Sequence, residues 1–412
     1  MNPPPAAPKG RRTALSQLGG AVELWGDESL AQALHAAFDV SATETAELAD
    51  VHGFHSYPAR MHPDTAARLI ARLSTAGQTV LDPFCGSGTV LVEARRAGRR
   101  GLGYDVNPLS RELSWLKTLG PDDDWLSALS DEAARVAAHA DERRRNKAGA
   151  TQRYGEIDRE QFAPHVLLEL DGLRDGIKRT DNPALGRALF LVLSALLTKV
   201  SQRSGDSGAV VSDKRVAPGF PSRFFLKKTS ELCRQLAAYR DSLPAAAPPA
   251  SCTLGDARKL PGLAAGSVAL VVSSPPYPGV YDYLAHHDDR LRWLGLSTRD
   301  FEKLEMGSRR ELSVESFGPA LARWERDLGA TLTALAHALT ADGRVVLLIA
   351  DSTLAGKPLH AERVVEKAAP AAGLELLARA SQARPHFHGG SREAFAKRPR
   401  QEHLLALGRA SA

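Results

Sequence analysis

The segment TVLDPFCGSGTVLVEARRAGRRGLGYD, residues 79–105, restricts the fold more than any other part of the chain. A β-branched apolar run ends in Asp82 and Pro83, and two glycines, Gly86 and Gly88, follow it. A helical pattern then closes at Gly98, before a second short strand, GLGYD. Strand, glycine turn, helix and strand make the opening βαβ unit of a doubly wound sheet, whose ligands bind beyond the carboxyl ends of the strands.

The alternation then stops. From Pro108 to Pro249 the chain reads as mostly helical: charged around 131–147, apolar in ALFLVLSALL (188–197), basic from Lys199 to Lys228, and ending in the linker-like PAAAPPA (244–250). The α/β pattern resumes with CTLGDA and SVALVVSSPPY, helical stretches through Trp293 and around 315–340, the strand GRVVLLIADS, and the extended LELLARAS and EHLLALG. A chain of 412 residues has room for more than one unit, and its 43% hydrophobic and 25% charged residues are ordinary for a soluble globular protein. The expectation is a tail and helical lead-in over 1–50, with Leu24, Leu30, Leu34 and Phe38 on one helical face. A catalytic domain split into 51–110 and 251–412 surrounds a helical, basic insertion over 111–250.

Three cysteines, Cys85, Cys233 and Cys252, show neither CxxC spacing nor an even count, so neither a disulfide framework nor a zinc site is expected. No run of 18 uninterrupted apolar residues occurs, and MNPPPAAPKGRR lacks the apolar core of a signal peptide, which predicts a cytoplasmic protein with no membrane partner. A net charge of +5 hints weakly at a polyanionic partner.

Glycines at 86 and 88 let the backbone pass close to a ligand. Asp105, ending the next strand, suits both hydroxyls of a ribose, and Asp256 in LGDA suits an adenine edge; each is equally suited to capping the element that follows it. The loop reads DPFCGSG rather than GxGxxG, and a carboxylate at Asp82 would repel a pyrophosphate but attract a cationic amino-acid group. The expected cofactor is therefore S-adenosylmethionine.

DPFCGSGT, GYDVNP and SSPPY together resemble the DNA amino-methyltransferases that modify cytosine N4 or adenine N6, and YPARMHPDTAARLI resembles the segment that closes over the methionine moiety in that family. The resemblance covers residues 52–110 and 251–410. It implies an α/β, doubly wound, Rossmann-like methyltransferase sheet with a large, mostly helical insertion. It also implies cofactor contacts from Asp82, Phe84, Gly86, Ser87, Gly88, Thr89, Asp105, Asn107, Asp256 and His62, with Arg60 and Pro63 carried over beside His62.

SSPPY (273–277) leaves an apolar strand at the ligand-binding edge. An exocyclic amine is a poor nucleophile because its lone pair is conjugated with the ring, and acceptors on its two hydrogens localise that pair. Ser274 supplies one contact, and the Pro275 carbonyl, held by Pro275 and Pro276, supplies another. Tyr277 offers a ring for a flipped base, with Phe84 on the other side. In the resembling family, serine at the first position is typical of N4-cytosine enzymes, whereas Asn or Asp is typical of adenine enzymes. A carbon-5 enzyme would need a cysteine nucleophile after proline, which is absent. His286, His287, Asp288 and Asp289 invite a metal reading, but transfer from a sulfonium needs none, so no metal is expected.

Lys199, Arg203, Lys214, Arg215, Arg223, Lys227 and Lys228, set among Gly, Ser and Phe, suit a phosphate backbone and make the insertion the expected DNA-recognition region. The expected substrate is double-stranded DNA with its target cytosine flipped out, and companion restriction or defence proteins are candidate partners. An RNA base amino-methyltransferase, an adenine-N6 enzyme and a non-catalytic DNA-binding protein are the competing readings. The recognised sequence and the oligomeric state are not legible.

Overall fold

The computed structural model describes residues 20–38, 40, 50–204, 210–211, 215–384 and 389–410. Eight strands form one sheet: β1 (Val22–Gly26), β2 (Thr79–Asp82), β3 (Arg100–Asp105), β4 (Ser251–Leu254), β5 (Val268–Ser273), β6 (Leu339–Ala350), β7 (Leu374–Ala383) and β8 (Gln401–Arg409). Their order across the sheet is β1-β7-β8-β6-β5-β2-β3-β4. The run from β6 to β4 is parallel, while β8 is antiparallel to both β6 and β7, and β1 is antiparallel to β7.

Successive side chains of a strand point to opposite faces, and the core divides accordingly. Val80, Leu270, Val272, Val346 and Leu348 pack with residues of α1 (Glu28–Phe38), α2 (Pro63–Leu73) and α3 (Thr89–Arg96). Leu81, Val271, Val345, Leu347 and Ile349 pack with α10 (Phe317–Ala338) and α11 (Ala361–Ala368) on the other face. Helices thus cover both faces, as a doubly wound sheet requires.

The chain after β3 forms α4 (Pro108–Lys117), α5 (Asp123–Arg145), α6 (Pro164–Lys178), α7 (Pro183–Val200) and α8 (Phe220–Asp241), and α9 (Tyr283–Leu294) follows β5. Their apolar faces share one core in which Val92 of α3 and Leu109, Leu113 and Leu116 of α4 meet Leu170, Leu193, Leu236 and Trp293. The helices inserted after β3 therefore pack onto the sheet domain through a common core. Helix α7 is apolar and long enough to cross a membrane, but 61% of its apolar window is buried, and its leucines belong to that core.

One expectation fails here. The lead-in is not helical throughout: residues 22–26 are an edge strand paired with β7, Trp25 is exposed, and the helix begins only at Glu28. Asp27 interrupts the helical spacing and accepts the N–H of Leu30, an N-cap contact that marks the start.

Leu193 is fully buried where α7 meets its neighbours. Leu193→Ala is expected to cost about 2–5 kcal/mol in urea unfolding, and the unfolding should remain a single transition because the core is shared. Two separated transitions would show that the helical layer unfolds by itself.

Candidate active site

The carboxyl ends of β2, β3 and β5 converge where the chain reverses its direction of winding: β3 and β4 lie to one side of β2, and β5 lies to the other. A cavity opens there, walled by Asp82, Phe84, Gly86, Ser87, Asp105 and Ser274 among others.

Asp82 ends β2, almost fully buried. Its Oδ1 accepts the Phe84 N–H at 3.1 Å and the Ser273 hydroxyl at 2.6 Å. The second bond joins the glycine loop to the first residue of the SSPPY turn. Gly86 and Gly88 have φ of +48° and +84°. A Cβ at Gly88 would lie 2.8 Å from the Ser114 hydroxyl, and one at Gly86 would lie 3.0 Å from the Tyr57 ring, so both conformation and space call for glycine. Gly88 is the N-cap of α3, whose amino end faces the loop.

Asp105 accepts the Gly86 N–H on Oδ2 and the Asn107 N–H on Oδ1, both at 2.8 Å. It therefore braces the loop as well as lining the cavity, a role its place at the strand end does not disclose. Asn107 caps α4 by accepting the Leu109 N–H. The Ser87 and Thr89 hydroxyls are buried in the cavity wall with no partner among the described residues.

Burial raises the carboxyl of Asp82 to about 7 and that of Asp105 to about 6, each against bonds that favour the ionised form. Glu305, also in the wall, is raised to about 7 by burial, then by Asp282, and its Oε1 accepts the N–H groups of Tyr283 and Leu284 at the start of α9. One part of the wall is apolar: Met61, Pro83, Phe301, Leu304 and Met306. A cavity with four acid groups, two hydroxyls unpartnered among the described residues, left-handed glycines and an apolar lobe fits S-adenosylmethionine, whose cationic amine and sulfonium, ribose hydroxyls and adenine need those surfaces in turn.

The expected contacts divide. Phe84, Asn107, Asp256 and Ser274 line the cavity together with Pro276. Asp256 is held by Arg258, whose Nε lies 2.9 and 3.1 Å from its two oxygens and which also reaches Asp327, so that carboxylate is partly committed to its neighbour. His62 lies outside the cavity wall: its ring accepts the Asp64 N–H and caps α2, and Pro63 is the first residue of that helix. From the same segment Arg60 lines the cavity instead, donating to the His52 carbonyl. Tyr277 is half-buried beside the cavity rather than in its wall. Its hydroxyl receives the Ser274 hydroxyl at 3.4 Å and donates to Glu402 at 3.5 Å. Reading motifs alone misses Tyr283, Phe301 and Glu305, which come from α9, the short helix Arg299–Leu304 and the residue after it, with no spacing that marks them, and it passes over Tyr57 at the start of YPARMHP.

The four residues 286–289 diverge. His287 is buried and tilted against Tyr57 at 4.7 Å between ring centres, while Asp288 and Asp289 pair with Arg292. Of the expected DNA contacts, Lys199, Arg215, Arg223 and Lys227 are exposed, Arg203 pairs with Glu160 at 3.0 Å, and Lys214 lies outside the described residues. Lys228 is turned inward, bonded to Glu231 at 2.8 Å and lying near the Phe54 ring. Arg223, Lys227 and Lys228 sit on a helix, not a flexible loop, because Pro221 at its start and the buried Phe225, Thr229 and Leu232 give that stretch a helical apolar stripe.

A model described as DNA methylase matches residues 26–114. This stretch, about a fifth of the chain, is similar to the DNA methylase family. The Type II methyltransferase M.MvaI of Kocuria varians is 42% identical over 79 residues, which are 18% of this chain and 17% of that protein. The Type II methyltransferase M.MjaII of Methanocaldococcus jannaschii is 34% identical over 81 residues, 20% of this chain and 15% of that protein. The match thus spans less than a fifth of either relative. Among solved structures, the rRNA methyltransferase aviRa from Streptomyces viridochromogenes is 16% identical, covers 91% of this chain and 96% of its own, and has a TM-score of 0.33, too loose a likeness to bear on the site.

Because Asp82, Asp105 and Glu305 hold protons in the folded chain at pH values where the unfolded chain has lost them, they stabilise the ligand-free protein at low pH. That contribution is lost as pH rises through about 6 to 7. The ligand-free Tm should therefore fall between pH 5 and 8, whereas the gain in Tm from added S-adenosylmethionine should grow as Asp82 and Asp105 ionise. A thermal-shift series across that range checks both trends, and Asp82→Asn should flatten each.

Proposed function

We propose that the protein is a DNA methyltransferase that moves a methyl group from S-adenosylmethionine to the exocyclic N4 amine of cytosine in a specific DNA sequence, with the target base flipped out of the duplex. The observation that carries this reading is the 2.6 Å bond between Ser273 and Asp82, which sets Ser274 on the same cavity as the glycine loop.

Asp82, Asp105, Ser87 and Thr89 would hold the cofactor, which supplies an electrophilic methyl group on a sulfonium. The chain's own task is to prepare the amine. Ser274 donates its proton to Tyr277, which in turn donates to Glu402, so the Ser274 oxygen keeps its lone pairs for an amine hydrogen and gains negative character along the relay. The Pro275 carbonyl takes the other hydrogen, and the Pro275-Pro276 pair keeps that turn free of competing N–H donors. With the amine lone pair released from the ring, the bound cofactor would supply its methyl group and depart as S-adenosylhomocysteine, and Ser274 and Tyr277 would pass the amine proton to the Glu402 carboxylate. Tyr277, tied at its hydroxyl, presents its ring to the flipped cytosine. Arg215, exposed just before α8, and Arg223 and Lys227, exposed on its first turns, meet the phosphate backbone.

Nucleoside digests of DNA incubated with the protein and S-adenosylmethionine, separated and weighed by mass spectrometry, should contain N4-methylcytosine. N6-methyladenine in its place would overturn the cytosine assignment, and methylated RNA with unmodified DNA would overturn the DNA assignment. Ser274→Ala should lower kcat by about 10²-fold or more with cofactor affinity unchanged, as expected for a contact made in the transition state.

Replacing Arg215, Arg223 and Lys227 by Ala should weaken DNA binding and flatten its dependence on salt, by up to about 0.9 log unit per log unit for each phosphate that is no longer neutralised. An unchanged salt slope in a titration would place these charges away from DNA.

A further inference from the structure

Beyond the cofactor cavity, three side chains from separate elements meet in the interior: Asp351, just after β6; Glu362, in the first turn of α11; and His403, on β8. All three are essentially inaccessible, with exposures of 0%, 1% and 0%. We propose that this trio is a binding site for a divalent transition cation of the zinc class, which fastens α11 and the ends of β6 and β8 together.

The geometry argues for it. His403 Nε2 lies 3.3 Å from Asp351 Oδ1 and 3.3 Å from Glu362 Oε2. A proton on that nitrogen would draw one carboxylate to the roughly 2.7–2.9 Å of a charge-assisted bond. Ligands held about 2.0–2.1 Å from a tetrahedral cation stand about 3.3–3.4 Å apart, which is the distance of each carboxylate oxygen from Nε2, and all three ligand atoms lie within 4.8 Å of one another. The other ring nitrogen, Nδ1, is 2.8 Å from the Ser381 hydroxyl, so that hydroxyl can accept its proton and leave the Nε2 lone pair aimed at the carboxylates. Glu362 Oε2 is buried and accepts no hydrogen bond among the described residues.

The other partners of the two carboxylates are backbone N–H groups and guanidinium groups. Asp351 accepts the N–H groups of Ala361 and Gln401, and the Glu362 oxygen facing away from His403 is 2.8 Å from Arg398. Arg363 lies 4.0 Å from that same Glu362 oxygen, so both guanidinium groups face Oε1, while Oε2 is turned to the His403 nitrogen. His360, half-buried and 3.4 Å from the far oxygen of Asp351, stands beside the trio. A nitrogen and two carboxylate oxygens suit zinc, cobalt or manganese better than calcium or magnesium, which prefer oxygen donors alone.

The test uses the full chain, stripped with a chelator and dialysed against one equivalent of Co²⁺ or Zn²⁺. Elemental analysis should find about one ion per chain. Co²⁺ should give the visible d–d absorption of a site with few ligands, and Zn²⁺ should raise Tm. His403→Gln and, separately, Glu362→Gln should abolish the absorption and the Tm gain. The Glu362 variant keeps the shape of the side chain and tests the site without emptying the core. A folded, chelator-treated chain that takes up no ion and shows no Tm gain would overturn the proposal and leave a protonated His403 bridging two carboxylates. Retention of the Co²⁺ spectrum in both variants would also overturn it.

Discussion

The bond from the Ser273 hydroxyl to Asp82 is the contact on which the site depends. It exists because β2 and β5 are adjacent, parallel and in register, with Val80 opposite Leu270 and Leu81 opposite Val271, so both strands end at the same height. Parallel pairing across a point where the winding reverses leaves the ends uncovered by a connecting helix, and a crevice results. The glycine loop leaves from one strand and the Pro-Pro turn from the other. Neither a shift of register nor an inserted residue would preserve the meeting, since one residue along a strand turns every side chain to the opposite face.

Around that contact two opposing effects act on the carboxylates. Asp82 and Asp105 are buried near each other, an arrangement that favours protonation, yet each accepts backbone N–H groups that favour ionisation. The balance leaves both titrating near neutral pH, where a cationic ligand can tip them to the charged form. The acid groups therefore serve two ends: bracing the loop through Phe84, Gly86 and Asn107, and offering negative charge to what enters the cavity.

The outer parts of the fold hold this centre in place. On one side, Val92 of α3 and the leucines of α4, directly behind the loop, are packed by the helices that follow β3. On the other, the buried pair of Arg384 and Glu402 reaches Tyr277 from β8, and the next residue along that strand, His403, points to the opposite face and joins Asp351 and Glu362. Alternation along β8 thus gives one face to the SSPPY turn and the other to the acidic trio.

The local features of the fold were legible in the sequence because they are set by neighbours along the chain. Periodicity marked the strands and helices, DPFCGSG marked a loop that only glycines allow, and SSPPY marked a rigid turn at a strand end. What the sequence left open depends on distant partners. Leu24 and Trp25 have the same apolar spacing whether they lie on a helix or on an edge strand, and pairing with β7 decides for the strand. His62 fits a cofactor motif, yet a helix start needs a cap, and its ring is used there while Arg60 turns to the cavity. Lys228 looks like its exposed neighbour Lys227 until Glu231 and Phe54 draw it inward. Cys85 and Cys252, 167 residues apart and unremarkable in spacing, have sulfurs 3.1 Å apart as free thiols because the loop folds over the neighbouring strand. Asp351, Glu362 and His403 share no motif at all. Chemistry that lies within one turn of chain can be read from the chain, whereas a site assembled from three elements exists only once the sheet has brought them together.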